Sequence, residues 1–357
     1  MRITSWAMQA AGKPFALSIR DEEPAPGEVL VQVAGCGVCH TDLGFYYDGV
    51  PTRHALPLCL GHEISGRVLA AGTGAETWVG RNVIIPAVMP CGAGPACRSG
   101  RGSICKRQIF PGNDVHGGFA SHVKVPALGL CPVPDLAAKE RNPRGLGLWM
   151  LSVIADAVTT PYQAILRSGL AQGDLAVFVG AGGVGGFGVQ IARAKGARVV
   201  AIDIDDERLG LAREHGALLA LRPDQLDFKQ LKQAIKAFAQ EHGIESFRWK
   251  IFETSGTPRG QELAYGLVEH GAFLSIVGFT PEKVTLRLSN LMVFDATAQG
   301  NWGCLPEHYP AVLDLVLSGQ VAIEPFIVRM PLSHIDEVFH DLHARKIKRR
   351  VVLVPES

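Results

Sequence analysis

Two short stretches carry donor types that hold metals, "GCGVCHTD" (35–42) and "GHEISGRVLAAG" (61–72). Cys39 offers a thiolate and His62 an imidazole, both zinc ligands by type. Cys36 and Cys39 also read as a C-x-x-C redox pair, but no thioredoxin-like βαβ pattern surrounds them. A third stretch, "PCGAGPACRSGRGSIC" (90–105), holds Cys91, Cys97 and Cys105. A four-cysteine zinc lobe would place another cysteine at 94, where Gly94 stands. Three free thiols, and a zinc held by three cysteines plus a ligand from elsewhere, are both open readings. A fourth feature is a lone acid: Asp156 in "SVIADAVTTPYQAI" (152–165) sits among small apolar residues that read as buried. A buried carboxylate is normally paired, neutralised or bound to a metal.

The other chemistry-bearing segment is "DLAVFVGAGGVGGFGVQIARAKGARVVAID", with Gly180, Gly182 and Gly185 in G-x-G-x-x-G spacing and Gly183 and Val184 between them. The motif follows an apolar strand and opens a helix, and Asp203 ends the next strand 23 positions after Gly180. That context is the dinucleotide fingerprint. Gly180 permits the tight turn, Gly182 admits a pyrophosphate to the backbone, and Gly185 lets helix and strand pack closely. The helix N-terminus supplies N–H groups for the phosphates. Asp203 can accept from a ribose hydroxyl and repels a 2′-phosphate, which favours NAD over NADP.

These residues need elements to position them. The 357 residues are too many for one ordinary core, so two domains are expected. Residues 1 to about 156 show short β-branched runs between Gly and Pro turns, an irregular β domain. From about 159, strands alternate with helices: 174–180, 184–196, 198–204, 205–216, 249–256 and 272–279. That rhythm predicts a parallel, doubly wound α/β sheet. The end of the chain carries a helix in "PEHYPAVLDLVLSG" and a strand-like "RRVVLVP". With 47% hydrophobic residues, 19% charged residues and a net charge of +1, there is no basic stripe for nucleic acid. No apolar run is long enough for a membrane span and no signal peptide opens the chain, so a cytoplasmic location is expected. Eight cysteines in such a chain read as metal ligands or buried thiols rather than disulfides.

"GVCHTD", "GHEISG", "PCG…C…C", "GGFASHVKVP" and "GAGGVG…AID", in this order over nearly the full length, resemble the zinc-dependent medium-chain alcohol dehydrogenases. The resemblance implies a GroES-like β-rich catalytic domain over 1–157, a Rossmann doubly wound domain over 158–298 and a return to the catalytic domain over 299–357. It places the active site between the two domains. It implies a catalytic zinc on Cys39, His62 and a third ligand before a T-x-Y-x-A pattern. Asp156, four residues before Thr160, stands where the family usually has cysteine. A carboxylate is an accepted zinc ligand; an N-cap or a salt bridge to arginine is the alternative. Glu63 is a reserve ligand. Cys91, Cys97 and Cys105 are an incomplete structural-zinc set.

By the same resemblance Thr41 takes the alcohol proton and hydride passes to NAD. Gly44 replaces the usual relay histidine, leaving His54 or water at the outer end. Asp42 holds His62 from behind. His40 faces the pyrophosphate, Arg208 flanks the ribose beside Asp203, and Thr160, Val184, Thr254 and Val277 touch the cofactor. Arg350 reaches the phosphates. Tyr46, Tyr47, Arg53 and His54 would line an aromatic, basic substrate entrance, although an aromatic stripe more often serves packing and Arg53 and His54 are most often solvated. As a whole the chain resembles the 6-hydroxycyclohex-1-ene-1-carbonyl-CoA dehydrogenases of anaerobic aromatic degradation, a resemblance that implies a CoA thioester substrate. A general secondary-alcohol or polyol dehydrogenase is the second reading, and a non-catalytic NAD sensor a third. The family forms homodimers and homotetramers through Rossmann-sheet edges, here expected from "FLSIVGF" and "KVTLRLSNLMV".

Overall fold

The β-branched run EVLVQVAGCG forms the strand Glu28–Gly37 in a computed structural model that describes residues 1–356. It pairs antiparallel with Glu63–Ala71, Gly37 lying opposite Glu63. This register decides the site. Cys39 lies two residues past the end of one strand and His62 one residue before the start of the other, so both stand at the same end of the ladder. A Cβ on Gly37 would collide with the Glu63 carboxylate, so glycine there makes room for that buried side chain.

The sheet continues through Asn82–Ile85 and Cys131–Val133 on one side, and His122–Pro126 also pairs with Glu28–Gly37. On the other side the C-terminal strand Arg350–Val354 pairs Val352 with Gly37, and Ile327–Pro331 runs parallel beyond it. The end of the chain therefore rejoins its beginning. Ala16–Asp21, Arg2–Met8 and Leu58–Cys59 form a second, three-stranded antiparallel sheet. Leu30, Ile64, Phe119 and Phe339 lie in the core that these strands cover. The unit comprises residues 1–159, 303–319 and the described chain from 326 onward.

The second unit comprises residues 160–302 and 320–325. Its six strands are all parallel, in the order Leu219–Leu221, Arg198–Ile202, Leu175–Val179, Trp249–Glu253, Phe273–Ile276, Thr297–Gly300. The order reverses at Leu175–Val179, the first of them in sequence, as in a doubly wound dinucleotide fold. That central strand is wholly buried, which is why it reads as a continuous apolar run. The helices between strands are closed by local chemistry: Asp205 caps Asp206–Glu214, and Asp227 and Gln230 form a capping box on Phe228–Glu241.

The α/β expectation, with a β-rich first domain, is met. The edge expectation changes. Residues 283–288 are irregular and Ser289–Val293 is helical, so "KVTLRLSNLMV" is no strand. The edge on that side is Thr297–Gly300, whose sequence TAQG lacks the apolar alternation of a strand because it is mostly exposed. Among the described residues no helix is long and apolar enough to cross a membrane.

Candidate metal centre and dinucleotide loop

Cys39 is the N-cap of the helix His40–Tyr47 and is 7% exposed. Asp42 sits one turn into that helix, fully buried. Its Oδ2 accepts from the Cys39 N–H at 2.9 Å and its Oδ1 from the Gly61 N–H at 3.1 Å. One carboxylate thus ties both ligand-bearing turns together. The same Oδ1 lies 3.4 Å from His62 Nδ1, which leaves Nε2 facing the site.

Asp156 arrives from 117 residues further along, at the end of the 3-10 run Leu148–Ala155. Its Oδ2 is 3.7 Å from Cys39 Sγ and 3.8 Å from His62 Nε2. Zinc–ligand bonds of roughly 2.0–2.3 Å in a tetrahedron separate ligand atoms by about 3.3–3.8 Å. The donor set and its spacing therefore fit a zinc ion. The charges agree. Burial opposes a cation on His62, yet Asp42, Asp156 and Cys39 outweigh it and hold its pKa well above the ordinary histidine value. Glu63 places a carboxylate oxygen within 4.8 Å of the same group. Burial pushes its pKa up; Arg350 opposes the rise and Asp156 adds to it.

Arg350 is 7% exposed, and its Nη1 donates to Glu63 Oε1 at 2.7 Å and to the Val38 carbonyl at 3.2 Å. In this structure it braces the candidate metal centre through Glu63, a place that residue spacing did not suggest. Thr41 Oγ1 lies 3.7 Å from Cys39 Sγ, beside the centre, and His40 is exposed. The aromatic entrance is not as expected. Tyr46 is buried against Phe15 and Phe339, and Tyr47 stacks on His343, so both rings serve packing. Arg53 pairs with Asp114 at 3.1 Å, and the His54 ring lies against His116.

Cys91 Sγ is 3.4 Å from Cys105 Sγ and 3.9 Å from Cys97 Sγ. The three form a metal-capable group, and among the described residues no fourth Cys, His, Asp or Glu joins it. Arg107 Nη2 donates to Cys91 Sγ at 3.4 Å, and Gly94 turns its backbone toward the same sulfur.

In the second unit Gly180 has φ +97°, a conformation open to glycine, and a Cβ on Gly185 would collide with the Gly180 carbonyl. Thr254 Oγ1 donates to that carbonyl at 2.7 Å. Asp203 Oδ2 accepts from the Ala181 N–H at 2.7 Å and Oδ1 from the Asp205 N–H at 3.0 Å. Arg208 Nη1 lies 3.9 Å from Asp203 Oδ2, with its guanidinium next to Gly182. Gly183 and Val184 complete the loop, Val184 as the N-cap of Gly185–Ala194. Val277 donates its N–H to the Glu253 carbonyl at 2.9 Å, and Thr160 is buried at the start of its helix. Sequence reasoning passed over Glu253. It is fully buried and accepts from the Ser255 and Gly256 N–H groups, holding the loop after its strand. The signal was the same as at Asp156, a lone acid in an apolar run.

The chain matches the alcohol dehydrogenase GroES-like domain over residues 25–135 and the zinc-binding dehydrogenase family over 183–318. An alcohol dehydrogenase of Geobacillus stearothermophilus is 31% identical over 95% of this chain and 95% of its own. An L-threonine 3-dehydrogenase of Pyrococcus horikoshii is 29% identical over 93% of this chain and 92% of its own. Among solved structures, acetophenone reductase from Geotrichum candidum in complex with NAD superposes with a TM-score of 0.83 at 26% identity, covering 99% of this chain and 97% of that one.

Proposed function

We propose, because this chain belongs to the zinc-dependent medium-chain alcohol dehydrogenase family, that it oxidises a secondary alcohol with NAD as hydride acceptor. The observation that carries this reading is the convergence of Cys39, His62 and Asp156 at 3.7–3.8 Å with the Thr41 hydroxyl alongside. Sensing NAD would require none of these four. Zinc held there supplies Lewis acidity that makes an alcohol proton easy to remove at neutral pH. Thr41 Oγ1 would accept that proton while releasing its own hydroxyl proton toward the cofactor ribose and solvent. Asp42 keeps His62 oriented, and Glu63 with Arg350 closes the buried side of the centre. Gly180, Gly182 and Gly185 cradle the dinucleotide phosphates, Asp203 and Arg208 hold its ribose, and Thr254 fixes the loop.

The substrate within this reading is 6-hydroxycyclohex-1-ene-1-carbonyl-CoA, oxidised to the 6-oxo compound. It rests on the resemblance of the sequence alone; the relatives found are alcohol dehydrogenases and L-threonine 3-dehydrogenases. The packed Tyr46 and the Arg53–Asp114 pair remove part of the basic, aromatic entrance from the argument. Steady-state rates of NADH formation test it. The CoA thioester is expected to exceed cyclohexanol, threonine and polyols in kcat/KM by about 100-fold or more, since the remote CoA contributes binding energy that small alcohols lack. Comparable turnover on simple alcohols or polyols would assign a general dehydrogenase instead. A protein that purifies without metal and is inert with NAD would be a binding protein.

The lobe of Cys91, Cys97 and Cys105 is read as a metal site with one corner missing. Gly94→Cys would supply that corner, since a Cβ there lies 3.4 Å from Cys91 Sγ. After dialysis against a chelator, the variant is expected to retain about one more zinc per chain than wild type, because closed four-thiolate sites hold zinc most firmly. Equal zinc content in the two proteins would refute this reading of the lobe.

A further inference from the structure

The carboxylate corner of the candidate metal centre stands at the end of a buried 3-10 segment. The 3-10 run Leu148–Ala155 stops at Asp156, whose φ −142° and ψ −57° belong to neither helix nor strand. Short 3-10 turns have poor hydrogen-bond geometry and depend on their surroundings. Here the surroundings come from the far end of the chain. Tyr309, at the start of the helix Tyr309–Leu317 in the same unit, is fully buried. Its hydroxyl donates to the Ala155 carbonyl at 2.5 Å and accepts from the Ala87 N–H at 3.3 Å. The Thr159 hydroxyl lies beside it and has one proton to donate, to the Tyr309 oxygen or to the Asp156 carbonyl 3.4 Å away. One phenol therefore grips the residue before Asp156 and lies against the residue three after it. Through Ala87 it anchors both just beyond the strand Asn82–Ile85.

We infer that Tyr309 is a positioning residue for the metal centre, its hydroxyl holding the 155–159 segment so that the Asp156 carboxylate meets Cys39 and His62 at ligand distance. The inference rests on the reading of these three residues as a metal site. Phenylalanine at 309 would keep the buried ring and lose only the hydroxyl. The Ala155 carbonyl would then keep only the long 3.3 Å bond from the Ala87 N–H, and the segment would be free to shift. Loss of an outer group that orients a ligand typically weakens metal binding about 10- to 100-fold.

The test uses the full-length protein loaded with cobalt(II) in four forms: wild type, Tyr309→Phe, Asp156→Ala and the double variant. Cobalt affinity is measured by competition with a chromophoric chelator, and the ligand-field bands report the geometry of the site. Tyr309→Phe is expected to weaken binding about 10- to 100-fold and to shift the bands. In the Asp156→Ala background it is expected to change neither, because the corner it positions is already gone. Unchanged affinity and bands in Tyr309→Phe would overturn the inference. So would an equal loss in both backgrounds, which is the mark of a purely structural role. If Tyr309→Phe does not fold, Thr159→Val cuts the other end of the same network and carries the same comparison. If Asp156→Ala binds cobalt as wild type does, the ligand reading of Asp156 fails, and the inference fails with it. Loss in Asp156→Ala with none in Tyr309→Phe rejects the inference alone.

Discussion

Asp156→Ala is expected to lower kcat/KM by about 1,000-fold or more and to strip most of the zinc from the purified protein. The size follows from what the metal supplies, several kcal/mol of stabilisation for the charge that develops on the alcohol oxygen, at 1.36 kcal/mol per tenfold in rate. The loss should not come from unfolding. The Asp156 side chain is 17% exposed, and its removal leaves no apolar cavity. His62 and Cys39 would keep only Glu63 as a third donor, and that carboxylate is already held by Arg350 Nη1 at 2.7 Å, so the zinc would be weakly retained. Asp156→Cys distinguishes the donor from the position. It is expected to keep the metal and most of the activity while its pH–rate profile moves to higher pH, because a thiolate gives the ion more electron density than a carboxylate. Metal analysis and pH-dependent kinetics on the three proteins read both effects. Full zinc content and activity in Asp156→Ala would sink the proposal that this residue is a ligand.

Asp203→Asn is expected to raise the NADP-to-NAD ratio of kcat/KM by about 100-fold. Two like charges at about 4 Å repel by roughly 4 kcal/mol at the effective dielectric of a protein surface, less after screening, and each 1.4 kcal/mol is a factor of ten. Asparagine removes the charge and releases Arg208, now 3.9 Å away, to meet a 2′-phosphate. The structure adds a second consequence. Both carboxylate oxygens accept backbone N–H groups, Oδ2 from Ala181 in the glycine loop and Oδ1 from Asp205. An amide has one acceptor for these two donors, so one bond is lost and the loop loosens. KM for NAD is therefore expected to rise about fivefold even as discrimination collapses. Steady-state kinetics with both cofactors measures the two effects together. An unchanged ratio would mean that Asp203 serves only as a brace for the loop.

That double role marks how far the sequence could be read. The loop Gly180–Gly185 and its acid Asp203 were legible because strand, turn and helix are contiguous and each glycine answers a local steric demand. Asp203 as a ribose partner followed from position alone; its grip on Ala181 did not, because that contact is between two different βα turns. At the metal centre the donors were legible by type. Their supports were not. Asp42 was expected behind His62, but the same carboxylate also holds the Cys39 turn. Arg350 was expected at the phosphates and lies against Glu63. Of the two readings open for Tyr46 and Tyr47, entrance or packing, the fold takes packing, Tyr46 inside the core and Tyr47 against it, because an aromatic run reads alike in either place.

Residue type and short-range spacing determined the donors, the dinucleotide loop and the alternation of strands and helices. Local sterics and side-chain chemistry are complete within a few residues, so the sequence alone carries them. Only the tertiary structure decided that Cys39, His62 and Asp156 meet. The register that sets Gly37 opposite Glu63 brings the first two together. The return of residues 303–319 brings Tyr309 under the third. Such contacts span 100 residues and more, and they depend on strand pairing and on which buried polar group finds which partner. A lone acid in an apolar run shows that a partner must exist, because burial demands one. Which partner it finds is set by the folded chain as a whole.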